Sequence, residues 1–145
     1  MEDQKHIPNA ERGMRINESS KDRFERSLDQ NYLKERTKHF ALEIIRLVEK
    51  LPKGRLADIL GRQLLAAATS VGANYRAACR ARSSPDFISK MGIVEEEADE
   101  SVYWMELLID CGLIGKDDVS HLLNEANQIL AMTVSSIRTA RRKKQ

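Results

Sequence analysis

Residues 64–84 read LLAAATSVGANYRAACRARSS. After two leucines, the stretch holds seven alanines, one asparagine in mid-run and three arginines that thicken toward its end. Alanine is the strongest helix former, and the stretch contains no proline. On a wheel of about 100° per residue, Arg55, Arg62, Arg76 and Arg80 fall on one face. Opposite them lies an expected core stripe of Leu56, Leu60, Gln63, Leu64, Ala67, Val71, Asn74 and Ala78. Beside the arginines runs a row of small residues, Ala66, Ser70, Ala73 and Ala77, spaced by four, three and four. A helix over residues 55–82 built this way is thin where another helix packs and basic where something acidic sits.

Outward from this helix, the same period recurs three times. From about Gln30, Leu33, Phe40, Ile44, Val48 and Leu51 return at threes and fours until Pro52 and Gly54 end the run. Downstream, SSPDF is a start signal, with Ser84 expected as the cap, Pro85 in the first turn and Asp86 against the helix dipole. The third helix places Phe87, Met91, Val94, Ala98, Val102, Met105 and Ile109 on one face. It should stop at Cys111, with Gly112 taking a left-handed conformation. Asp117 is the expected cap of a fourth helix, whose stripe is Val119, Leu122, Leu123, Ala126, Leu130, Thr133 and Ile137. Four amphipathic helices joined by short loops predict an all-α, antiparallel up-down four-helix bundle. It is expected over residues 29–145, ending in a basic C-terminal tail. Residues 1–28, of mixed charge and no apolar period, read as a flexible polar N-terminal arm.

The composition agrees. In 145 residues, 41% are hydrophobic and 32% charged, with only seven glycines and three prolines, which disfavours sheet. No run approaches the roughly 20 apolar residues a membrane helix needs, and the polar start shows no signal peptide. A cytoplasmic protein without membrane contact is expected. Cys79 and Cys111 are far apart and form no C-x-x-C pair, so they read as reduced structural thiols.

The net charge of +2 says little, but its distribution is uneven. Residues 53–82 carry six basic residues against Asp58, whereas residues 85–111 carry eight acidic residues against Lys90. The third helix also has a second apolar strip, Ile93, Trp104 and Leu107, with Glu97 and Glu100 on the same side. Such a strip points to self-association, with Glu97 or Glu100 meeting an arginine of a neighbouring second helix. The simpler alternative is that Trp104 covers a loop of its own chain. Asn74, in mid-stripe, is expected as a core amide that fixes helix register, a ligand contact being the other reading.

The run QLLAAATSVGANYRAACRARSSPDFISK resembles the signature of the bacterial four-helix bundle proteins known as 23S rRNA-intervening-sequence proteins. The matching positions are Ala67, Ala68, Ser70, Ala73, Asn74, Arg82, Ser83 and Phe87, with Glu100 and CGLI at residues 111–114 further on. Leu65 and Ala66 stand where the family usually carries paired arginines, and residues 75–78 replace its Ile-Ala-Glu-Gly. The resemblance, over about residues 30–140, implies a left-handed bundle assembled as a homopentamer, without established enzymatic activity. It also relates the chain to accessory proteins of diversity-generating retroelements, which bind nucleic acid and a reverse transcriptase.

Three functional classes follow. The first is an oligomer that binds RNA or DNA through Arg55, Arg62, Arg76, Arg80 and Arg82, together with Arg138, Arg141, Arg142, Lys143 and Lys144 of the tail. A tail whose charge merely suits the helix dipole is the plainer account of those last residues. The second is a protein scaffold whose arginines serve subunit contacts. An enzyme is the least supported: no glutamate has histidine at i+3, His6, His39 and His121 are not grouped with a nucleophile, and no phosphate-cradling glycine loop exists. The sequence calls for no metal and no cofactor.

Overall fold

The structure is a computed structural model that describes residues 18–143. Four helices account for nearly all of it: α1 (Glu18–Glu49), α2 (Arg55–Cys79), α3 (Ser84–Asp110) and α4 (Lys116–Lys143). They are joined by connections of five, four and five residues. α1 begins well ahead of the expected start near residue 29, so residues 18–28 are helical rather than part of an arm. The rest of that arm, residues 1–17, lies outside the described residues, as does Lys144.

The start of α3 differs by one position from the expected cap. Ser83 is the N-cap, and its hydroxyl accepts from the Asp86 N–H at 3.2 Å, leaving Ser84 and Pro85 in the first turn. Asp86 also binds Lys90, and this hydrogen bond, with one from the Arg82 N–H, holds its carboxyl below the usual carboxylate range. α3 ends as expected at Cys111, and Gly112 adopts a φ of 74°. α4 starts at Lys116, so Asp117 and Asp118 sit in its first turn and oppose the dipole from there.

Neighbour relations fit an up-down order. A methyl group on Gly61 would lie 3.1 Å from Leu51 Cδ1, and one on Gly72 would lie 3.2 Å from Thr37 Oγ1. Rising numbers along α1 thus meet falling numbers along α2. Arg36 meets Glu125 and Glu43 meets His121, so α1 and α4 also run antiparallel. The α1–α4 seam is the thinnest of the four. Arg36 bridges it through both oxygens of Glu125, with further bonds to Gln128 and to the Tyr32 hydroxyl.

The core contains Phe40 and Ile44 from α1, Leu64 and Val71 from α2, Met91 and Met105 from α3, and Ile129 from α4. Buried hydroxyls of Thr37, Ser101 and Thr133 each donate 2.8 Å bonds to the carbonyl four residues earlier. Among the described residues no buried side-chain polar atom lacks a partner.

On α2 the core stripe is rotated from the expected one. Ala57, Gly61, Ala68 and Tyr75 are buried, while Leu56 and Gln63 are exposed. Asn74 is only half-buried, and its amide Nδ2 donates to the Ser70 carbonyl at 2.8 Å on its own helix. The expected core amide is therefore a flank residue, because Tyr75 fills the space one position on. α3 shifts similarly, Ser101 and Leu108 being buried where Val102 and Ile109 are half-buried.

Candidate nucleic-acid interface and the α2–α3 face

Between α1 and α2 lies a shallow groove of about 270 Å³, lined by Lys34, Lys38, Thr69, Ala73 and Arg76, with Gly72 and Thr37 on its floor. The absence of a side chain at Gly72 lets the two helices approach closely there. Lys34 and Lys38 are one turn apart on α1, so their ammonium groups share a face of that helix. No carboxylate lines the groove. Arg55, Arg62, Arg76, Arg80 and Arg82 are all exposed, and none forms an ion pair among the described residues. Lys34 and Lys38 belong to this basic surface, although their sequence neighbourhood, with Glu35 and Arg36, carries no distinct charge run.

Tyr75 does not join the arginines at the surface. It is 5% exposed, and burial, reinforced by Cys79, pushes its hydroxyl pKa up. A base therefore finds no stacking platform beside Arg76.

The C-terminal cations do not extend the groove. Arg138, Arg141, Arg142 and Lys143 are exposed on the last turns of α4, a continuous helix rather than a free tail up to residue 143. Arg138 and Arg142 flank Leu130, which in turn borders Gly92, Glu95 and Asp99 of α3. That side of α4 looks toward α3, away from the α1–α2 groove. The expected cationic set is thus divided between two faces of the bundle.

The residues expected at a subunit interface are brought together. Gly61 and Gly72 mark the α1 flank of α2, so the flank toward α3 carries Leu56, Ile59, Ala66, Ser70, Asn74 and Ala77. Gly92, Glu95 and Asp99 mark the α4 flank of α3, so its α2 flank carries Ile93, Glu97, Glu100, Trp104 and Leu107. Of the small-residue row, exposed Ala66 and half-buried Ser70 and Ala77 therefore adjoin the acidic, apolar strip of α3, whereas exposed Ala73 lines the α1–α2 groove instead. Trp104 and Leu107 are half-buried against the edge of the core, and Trp104 meets the Tyr103 ring edge-on at 5.1 Å. Burial raises the Glu97 carboxyl pKa, and the nearby Glu100 and Glu96 charges raise it further.

At the opposite end from the α2–α3 turn, His39 Nε2, one helical turn away, and His121 Nε2, reaching across from α4, lie 2.9 and 3.2 Å from the two oxygens of Glu43, and only the second of these contacts is beyond the reach of sequence spacing. No group of three or more His, Cys, Asp or Glu is placed to hold a metal ion among the described residues. Cys79 and Cys111 are free thiols. No described helix is long and apolar enough to cross a membrane.

Four helices packed round one core, with a basic groove on one face and an apolar, acidic strip on another, define the class: an all-α four-helix bundle. Within that class, the chain belongs to the 23S rRNA-intervening sequence protein family, whose model matches residues 29–135. It is similar to a crystal structure from Bacteroides thetaiotaomicron, described as a protein of unknown function from the S23 ribosomal protein family. The two share 34% identity with a TM-score of 0.71, covering 75% of this chain and 97% of that one. No curated protein matches the chain.

Proposed function

We propose that this protein is a non-enzymatic, self-assembling four-helix bundle of the cytoplasm that binds RNA or DNA through the phosphate backbone. The observation that carries this reading is the α1–α2 groove, where Lys34, Lys38 and Arg76 converge without a carboxylate. A cation already held by a carboxylate would exchange one partner for another. An unpaired one gains a phosphate and releases that phosphate's counterions to solution. Repeating the groove over several copies multiplies the contacts without any base readout. With Tyr75 buried, the surface suits the backbone of a duplex or folded strand better than unstacked bases. The family's printed name, which refers to an intervening sequence of 23S rRNA, is in keeping with a nucleic-acid context.

The test is fluorescence anisotropy with labelled RNA and DNA, single- and double-stranded, across a salt series, on protein of measured assembly mass. Lys38→Glu and Arg76→Glu should each weaken binding evenly across sequences and lower the salt slope by about 1. Deleting residues 138–145 reads the contribution of the second cationic face separately. No binding at about 50 mM salt overturns the proposal. A second reading, a protein scaffold, draws on the apolar α2–α3 face. It gains if Arg62→Glu disrupts assembly while nucleic-acid binding is unaffected by the C-terminal deletion.

A further inference from the structure

At the end of the bundle that carries the α2–α3 turn, the large core residues stop before the helices do. On α4 the last buried aliphatic residue is Ile137, yet the helix runs on to Lys143, about 9 Å further. On α1 the matching limit is Leu33, beyond which Gln30, Asp29 and Arg26 line the space. α2 reaches this level with Ala78 and Cys79, and α4 with Ser136 and Ala140. These short side chains leave a cavity of about 550 Å³ between the ends of all four helices. Pockets that hold small organic molecules measure about 300–1,000 Å³. Helix bundles commonly build such sites between facing helices.

We propose that this cavity binds a small aromatic carboxylate, with its rings between the helices and its acid group at the rim. The proposal goes beyond the nucleic-acid reading, and no residue of the α1–α2 groove lines the cavity.

Three features define that ligand. The first is an apolar floor. Ala78 belongs to the core, and Cys79 and Phe87 pack against its edge. The Phe87 ring gives an aromatic body an offset or edge-on partner. The second is sign. Two cations, Arg26 and Lys143, line the cavity against one carboxylate, Asp29. Neither cation forms an ion pair among the described residues. They come from α1 and α4, so they approach a bound anion from two sides. The third is hydrogen bonding. Ser84 and Ser136 bring hydroxyl groups that can donate to a carboxylate oxygen. The cations and hydroxyls select an acid, and the floor selects a body much larger than a methyl group.

The experiment uses 2-naphthoate as the probe and Cys79 as the reporter. Cys111→Ser leaves Cys79 as the one thiol of the chain, and the substituted site is exposed. In that background, 2-naphthoate should slow alkylation of Cys79 by N-ethylmaleimide. It should also shift the backbone NMR signals of residues 26–30, 83–87 and 136–143. Acetate at the same concentration should do neither, and octanoate should bind more weakly than 2-naphthoate. Arg26→Gln and Lys143→Gln should each weaken 2-naphthoate about two- to fivefold, as expected for an exposed ion pair. Binding of uncharged 2-naphthamide should not change in either variant. Ala140→Phe and Ser136→Leu each fill the cavity and should abolish protection in protein whose helicity by circular dichroism matches the parent. The two sites are independent, so one variant that fails to fold leaves the other to decide. An alkylation rate unchanged by 2-naphthoate at about 1 mM overturns the proposal. Equal protection by acetate reduces the effect to surface ion pairing, and equal protection by octanoate removes the aromatic assignment. Protection that survives both filling substitutions overturns the site.

Discussion

Gly112 is the residue on which the α3–α4 turn depends. Its φ of 74° lies in the left-handed region, and nothing stands within 4 Å of where a Cβ would be. Gly112→Ala should therefore cost conformational energy alone, about 1–2 kcal/mol, and lower the melting temperature by about 3–8 °C. An unchanged melt would show that the turn relaxes without penalty. Ser83 is the matching residue at the other end of α3. The sequence SSPDF marks this boundary clearly but offers two adjacent serines. Only the extended backbone at Ser83 selects it as the cap, because a capping side chain must sit outside the helix to reach back to an N–H within it.

At the scale of the element, α2 shows how far periodicity reaches. Leu60, Leu64, Ala67, Val71 and Ala78 are buried as their spacing predicts. The disagreements are at Leu56, Gln63 and Asn74, all on the side toward α3, and at Ala57, Gly61, Ala68 and Tyr75, mostly toward α1. An alanine-rich helix carries few large side chains to fix its rotation, so a turn of a few tens of degrees changes which residues are inside. Packing against α1 decides it: Gly61 and Gly72 let that helix come close, and the core follows. α3 makes a pH prediction. The raised Glu97 carboxyl pKa means that the folded chain binds a proton more tightly than the unfolded chain. Stability therefore falls as pH rises from the unfolded value near 4.5 through the raised folded value. Below that window both states are protonated and the effect vanishes. In single chains, Glu97→Gln should raise the melting temperature at neutral pH and leave it unchanged well below pH 4.5. A neutral-pH melt that does not move would contradict the assignment. If a cation from another copy offsets Glu97, the gain should shrink in the assembled protein.

For the whole molecule, the thin α1–α4 seam is where the bundle should open first. Arg36 grips both oxygens of Glu125 and is itself held more firmly protonated by that bond. Both side chains are partly exposed, so the pair contributes on the order of 1 kcal/mol. Lysine has no planar fork to replace it. Arg36→Lys should therefore lower stability by about that amount and speed hydrogen exchange along α1 more than along α2 or α3. Equal acceleration in all four helices would place the weak seam elsewhere. By itself the sequence determined the number of helices, most of their ends and the family, because helix period, breakers and caps are local and written in consecutive residues. It also separated the charge between α2 and α3. Only the tertiary structure decided that Lys34 and Lys38 join Arg76, that the C-terminal arginines lie on another face, and that Ala66, Ser70 and Ala77 adjoin the Trp104 strip while Ala73 lines the basic groove. Each of these depends on which helix lies beside which and on how each is rotated about its axis, and those are settled by packing between segments distant in the chain.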